Sequence, residues 1–183
     1  LIERFGYMPN GSRTYYLKRS QPPYAALMAD EVYRKTQDKE FLRYAFGVLK
    51  REYSFWMTNR VSPNGLNHYG CENDEECREF YRVCVIPRLG ELEGRSPVEA
   101  GRHYYAEAES GWDFNPRFGG FCMDYNPVDL NSNLYFYEKA FAEYEQLLGE
   151  GDGSSWAQRA NERKEKMNAM LWNEKEGVYQ DYN

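Results

Sequence analysis

No run of about 18 consecutive apolar residues occurs anywhere in the 183-residue chain, so no helix of it can span a bilayer. Positive charge is equally short. Twenty-three Lys and Arg against 29 Asp and Glu leave a net charge of -6, and no basic stripe stands out to follow a phosphate backbone. Nucleic acid is therefore excluded as a partner, and a neutral or cationic small ligand fits better. Histidine is scarce: His68 and His103 have no visible partner and are assigned nothing. The four cysteines, Cys71, Cys77, Cys84 and Cys122, lack the short C-x2-C pairing of a strong zinc motif, so no metal is assigned. One or two disulfides or buried free thiols account for them, which leaves the redox compartment open. The chain opens at Leu1-Ile2-Glu3-Arg4 without a Met or a signal peptide and stops at Asp181-Tyr182-Asn183 in mid-pattern, and so reads as an excised piece of something longer. Localisation stays unassigned, with a periplasmic or extracellular site slightly preferred.

What the chain does have is apolar and aromatic mass. An apolar content of 42% is ample for a core. Seventeen tyrosines and four tryptophans exceed ordinary packing needs, and flat rings with a polar edge suit stacking against sugars. The patterning is helical. After a loop-like stretch of 21 residues, Pro22-Pro23 open a helix whose apolar face is read as Tyr24, Leu27, Met28 and Val32. The pattern breaks around Thr36 to Asp38 and restarts with Phe41, Leu42, Ala45, Leu49, Tyr53 and Trp56 on one stripe, which makes a helical hairpin. Ser62-Pro63-Asn64-Gly65 is a turn, Leu66 to Tyr69 a short extended piece, and residues 72 to 89 a helix. Ser96-Pro97-Val98-Glu99 is a capping box launching a helix to about Glu109, which explains Glu99 structurally.

Asn126-Pro127 are expected to cap the cleanest helix, with Leu130, Leu134, Tyr137, Phe141, Tyr144 and Leu148 on one buried face. Asp129 suits the positive end of that helix, while Glu138, Glu143 and Glu145 read as its solvated side. A flexible turn at Gly149 to Gly153 leads to a further helix from about Ser155 to Trp172, and Gly177-Val178-Tyr179 begins a short strand. Amphipathic helices joined in pairs, with chemistry in their loops, predict an all-α toroid of helical hairpins. Roughly six or seven helices make half of a double ring, in a single partial domain over 1–183 whose open edges need the remainder of the barrel.

The most informative segment is Glu107-Ala108-Glu109-Ser110-Gly111-Trp112-Asp113-Phe114, which puts one acid between two aromatic residues where a helical pattern ends. A carboxyl group desolvated by rings keeps its proton near neutral pH, as a general acid for glycosidic oxygen must. Asp113 is thus the catalytic candidate, with Arg117, four residues on, as a weaker supporting one.

The run from Asn10 to Pro23, with Tyr15-Tyr16-Leu17 followed by Arg19-Ser20-Gln21-Pro22-Pro23, resembles the substrate-binding segment of trehalases. Glu109-Ser110-Gly111-Trp112-Asp113 resembles that family's catalytic-acid motif, and Pro127-Val128-Asp129-Leu130-Asn131 the helix after it. The resemblance implies an (α/α)6 barrel that hydrolyses trehalose by inverting acid–base chemistry without metal or cofactor. It places Asn10, Arg19, Ser20 and Gln21 around glucose, with a backbone contact from Gly111 and Asp113 as the acid. Asn and Gln carry paired donors and acceptors for hydroxyls, and Arg a rigid donor fork. An inverting enzyme also needs a base about 6.5–9.5 Å from the acid. By the resemblance that base lies beyond Asn183, so the excised chain is expected to be inactive alone.

One motif departs. The family's Arg-Pro-Glu-Ser-Tyr pattern is replaced here by Cys77-Arg78-Glu79-Phe80-Tyr81-Arg82, in which Arg78 is displaced by one and the proline is missing. Arg78 and Glu79 remain candidates for sugar contact, with a plain charged helix face as the alternative for Glu79. The departure admits a further reading, an α-glucosidase-type hydrolase with another α-glycoside substrate; a third is a noncatalytic sugar-binding relative that keeps the pocket but has lost the base.

Overall fold

Asp38 separates the first two long helices because its carboxylate accepts the N–H groups of Glu40 and Phe41, while Gln37 closes the preceding helix in the left-handed region at φ 55°. In the computed structural model, which describes residues 1–183, these are α2 (Ala25–Thr36) and α3 (Lys39–Asn59), preceded by a single turn, α1 (Ile2–Phe5). Asn73 caps α4 (Asp74–Phe80), which widens into a π turn over Tyr81–Val85 and ends in α5 (Ile86–Leu89). Pro87 has no N–H to return to the preceding turn, and the helix loosens just before it. Residues 74–89 are thus one interrupted rod, as the sequence predicts. Ser96 caps α6 (Pro97–Ser110) by accepting the Glu99 N–H at 3.1 Å. Two more helices follow, α7 (Val128–Leu148) and α8 (Ser154–Met170), and then a two-residue hairpin of β1 (Trp172–Asn173) against β2 (Val178–Tyr179).

The main core lies between α2, α3 and α7. Leu42, Phe46, Leu49, Tyr53 and Trp56 meet Leu130, Leu134, Tyr137, Phe141 and Tyr144, with rings mostly edge to face. Both predicted stripes are therefore buried apart from Phe41 and Leu148, which are half-buried against the core. α6 packs on α4 closely because residue 101 is glycine: a Cβ there would collide with the Cys77 carbonyl oxygen. All four cysteines are free thiols, which decides between the alternatives left open by their spacing.

Four expectations need correction. The apolar face read for α2 points outward. Tyr24, Met28 and Val32 are 50%, 66% and 43% exposed, whereas Ala26, Ala29, Asp30 and Tyr33 are buried. Small side chains let α2 approach its neighbours, and two tyrosines of α7 reach back to it: Tyr137 Oη accepts the Ala26 N–H, and Tyr144 Oη donates to Asp30. Helix α2 itself begins at Ala25, two residues after the prolines. Asn126 does not cap α7 either. Its amide donates to Ser62 Oγ at 2.8 Å and to the Asn67 carbonyl at 3.2 Å, and the α7 amide at Val128 is accepted by Asp181, 53 residues away.

Glu138 is not solvated. Spaced four from Leu134, it lies on the buried face, where it accepts Arg163 Nε at 2.9 Å and the Tyr53 hydroxyl at 2.8 Å. Arg163 also reaches Asn67 and Asn131, joining α8, α7 and the loop after α3 through one fully hydrogen-bonded buried charge pair.

Candidate active site

The N-terminal loop is stitched to the end of α6. Pro9 and Ser20 form an isolated antiparallel bridge, and the Asn10 N–H donates to the Arg19 carbonyl at 2.7 Å. The Asn10 amide donates to the Ala108 carbonyl at 3.2 Å while its oxygen accepts Arg19 Nη2 at 2.9 Å. The Arg19 guanidinium is buried within 5.2–5.7 Å of the ring centres of Tyr105, Phe80 and Tyr16, a cation in an aromatic cage. The Ser20 hydroxyl is also buried and donates to Glu109 Oε1 at 2.5 Å. Gln21 is half-buried at the end of this segment.

Glu109 is the knot of this arrangement. Fully buried, it also accepts Arg60 Nε at 2.9 Å, Arg60 Nη2 at 3.1 Å and the Gly70 N–H at 2.8 Å. It fixes Ser20, and through it the N-terminal loop, against the segment after α3. In Arg60, burial opposes the charge but the Glu109 carboxylate outweighs it, so the guanidinium pKa is raised.

Asp113 lies in the loop after α6, which leaves the helix through Gly111 at φ 79°. With Arg19, Arg78 and Glu79 it lines one open cleft of about 970 Å³, together with Tyr15, Tyr16, Phe80, Tyr105 and Phe114. Asn10, Ser20, Gln21 and Gly111 stand outside that lining; Asn10 and Ser20 hold Arg19 in place, and the Gly111 N–H is used by the helix end. Arg78 and Glu79 are both exposed on α4, where the Glu79 carboxylate receives a forked pair of hydrogen bonds from Arg82 at 2.7–3.1 Å.

The desolvation expected of Asp113 is absent, since its side chain is exposed. Its flanking rings are engaged elsewhere. Trp112 lies 5.0 Å from Arg117 and donates to Asp129, while Phe114 stacks on Tyr104 at 5.5 Å. Arg117, the weaker candidate, instead braces the loop by pairing with Asp129 at 2.8 Å and Asp181 at 2.7 Å.

At this end of α6 the carboxyl that burial does perturb is Glu107. It is buried, and desolvation pushes its pKa up to about 7, against weaker opposing pulls from the Phe114 and Gly120 amides and Arg95. Sequence reasoning passed over Glu107, Arg60 and Tyr105. One signal was available for the first: acids in the last turn of a helix face the wrong end of its dipole, so Glu107 and Glu109 there call for compensating partners.

Mostly helical, with its N-terminal loop, α4 and post-α6 loop closing one aromatic, charge-lined cleft, the chain has the architecture of a helical toroid. A sequence model of the Trehalase family matches residues 1–183, and the chain belongs to that family. Its structure is similar to that of neutral trehalase Nth1 from Saccharomyces cerevisiae, with a TM-score of 0.81 and 26% identity over the whole of this chain. The chain spans 40% of that protein's length.

Proposed function

We propose that this chain supplies the acid-bearing half of a glycoside hydrolase site that cleaves trehalose with inversion. Asp113 protonates the glycosidic oxygen, Arg19 directs its donors at sugar hydroxyls, and a base outside residues 1–183 activates water on the opposite face. The observation that carries this reading is the shared cleft: Asp113, Arg19 and Glu79 arrive from three separate segments, and all line it. Aromatic faces beside them offer stacking surfaces for a pyranose ring. Exposure of Asp113 in this half-ring is compatible with the role, because a general acid acquires its working surroundings in the assembled site with substrate bound.

The test is hydrolysis of trehalose by the full-length protein beside Asp113→Asn. Turnover by D113N is expected to fall by at least about 100-fold with substrate binding retained; undiminished turnover removes Asp113 from the acid's role. Residues 1–183 alone are expected to be inactive for want of a base. A second reading, hydrolysis of another α-linked glucoside, is favoured by the Glu79–Arg82 pair, which ties up the carboxylate in the departing motif. Comparing kcat/KM across trehalose and other α-glucosides separates the two.

A further inference from the structure

Three hydrogen bonds from the loop that carries Asp113 converge on one residue of α6. The Glu107 carbonyl accepts the N–H groups of Gly111 and Trp112, the second at 3.2 Å, in a Schellman-type helix end. Its side chain accepts the Phe114 N–H at 3.0 Å through Oε2. Asp113 is therefore bracketed on both sides by bonds to Glu107. Phe114 needs that bond. It is non-glycine at φ 53°, in the left-handed region that is strained for a bulky residue, and its ring stacks on Tyr104. The other carboxyl oxygen of Glu107, Oε1, is buried with no hydrogen-bond partner. A buried, half-satisfied acid is costly.

We propose that Glu107 is a positioning residue for Asp113: by holding the Phe114 N–H it fixes the left-handed turn that aims the Asp113 carboxyl into the cleft. The inference rests on Asp113 being the general acid. The charged and titratable groups that influence Glu107 are Asp113 in the same loop, Arg95 before α6, Tyr104 on α6 and Cys122 in the turn after the loop. Of these, only Arg95 offsets a negative charge. Ionisation near pH 7 is thus disfavoured by burial and by Asp113, and the clamp carries a pH signature of its own.

The test compares E107L, E107Q and D113N in the full-length enzyme. E107L fills the space but accepts no hydrogen bond. It is expected to unfold at a temperature equal to or above wild type at pH 8, yet to lose about 10- to 100-fold in kcat with KM little changed, as a misaimed catalytic group does. E107Q, whose amide oxygen still accepts the Phe114 N–H, is expected to recover most of that kcat and to lose an ionisation near pH 7 from the pH–kcat profile. Wild-type kcat in E107L overturns the proposal, as does loss of kcat in E107Q equal to that in E107L. If E107L does not fold, E107A takes its place: it too accepts no hydrogen bond from Phe114, and wild-type kcat in it overturns the assignment. D113N separates the two levels, since full turnover by it removes the general acid itself, whereas an inactive D113N beside an unimpaired E107L removes only the role of Glu107.

Discussion

Replacing Glu109 by alanine tests whether the stitching of the N-terminal loop is as costly to break as its geometry implies. The carboxylate accepts four hydrogen bonds, from Ser20 at 2.5 Å, Arg60 at 2.9 and 3.1 Å, and Gly70 at 2.8 Å. E109A leaves the buried Arg60 guanidinium with only the Asn59 carbonyl and the exposed Glu72 as acceptors, both on Nη1. Removing one partner of a buried ion pair costs about 3–5 kcal/mol, and the orphaned Gly70 N–H about 1–3 kcal/mol if taken separately. The two are not additive, because the loop relaxes once either is lost, so a total of about 4–5 kcal/mol is expected. Against a typical domain stability of about 5–15 kcal/mol that is a large fraction. The double variant R60M/E109A removes both charges together and is expected to cost far less than E109A and R60M combined. Urea unfolding followed by tryptophan fluorescence measures all four proteins. A loss below about 1 kcal/mol in E109A, or additive losses in the double variant, would refute the view that Arg60 and Glu109 act as one buried unit.

Two further outcomes follow from the packing and from burial. Gly101→Ala forces α6 away from the Cys77 carbonyl of α4, and is expected to destabilise the fold by about 1–3 kcal/mol, read as a lowered urea midpoint. For Glu107, the folded pKa of about 7 lies above the unfolded value of 4.5, so the native state holds its proton over a window where the unfolded chain has released it. Stability is then greatest below about pH 4.5 and falls as pH rises to about 7, by a few kcal/mol at most. E107Q is expected to remove that slope, so that its thermal midpoint gains on wild type between pH 5 and pH 8; parallel curves would show that Glu107 ionises as freely in the fold as out of it.

Periodicity alone determined most of the secondary structure. The stripes from Leu42 to Trp56 and from Leu130 to Tyr144 recur every three or four residues, and burial of one face leaves that mark whatever the neighbours are. Local punctuation did the same for the break at Thr36 to Asp38 and for the Ser96 cap, whose hydrogen bond spans three residues. Linear motifs in order placed Arg19 and Asp113 as candidates in one site, and the fold sets both against a single cleft. Only the tertiary structure could decide which face of α2 is buried. Its large apolar residues and its alanines both recur helically, and the choice was made by the tyrosines of α7 reaching across to it.

The same limit applies to the acids. From sequence, Asp113 between Trp112 and Phe114 looks desolvated, and Glu138 looks solvated. In the fold Asp113 is exposed, while Glu138 and Glu107 are buried, because desolvation is set by what packs from distant segments and not by flanking residues. Partners 25 to 89 residues away, Arg163 for Glu138 and Ser20 for Glu109, are what make those buried charges tolerable. The sequence determined which residues could do the chemistry; long-range packing decided which of them face the cleft and which hold the others in place.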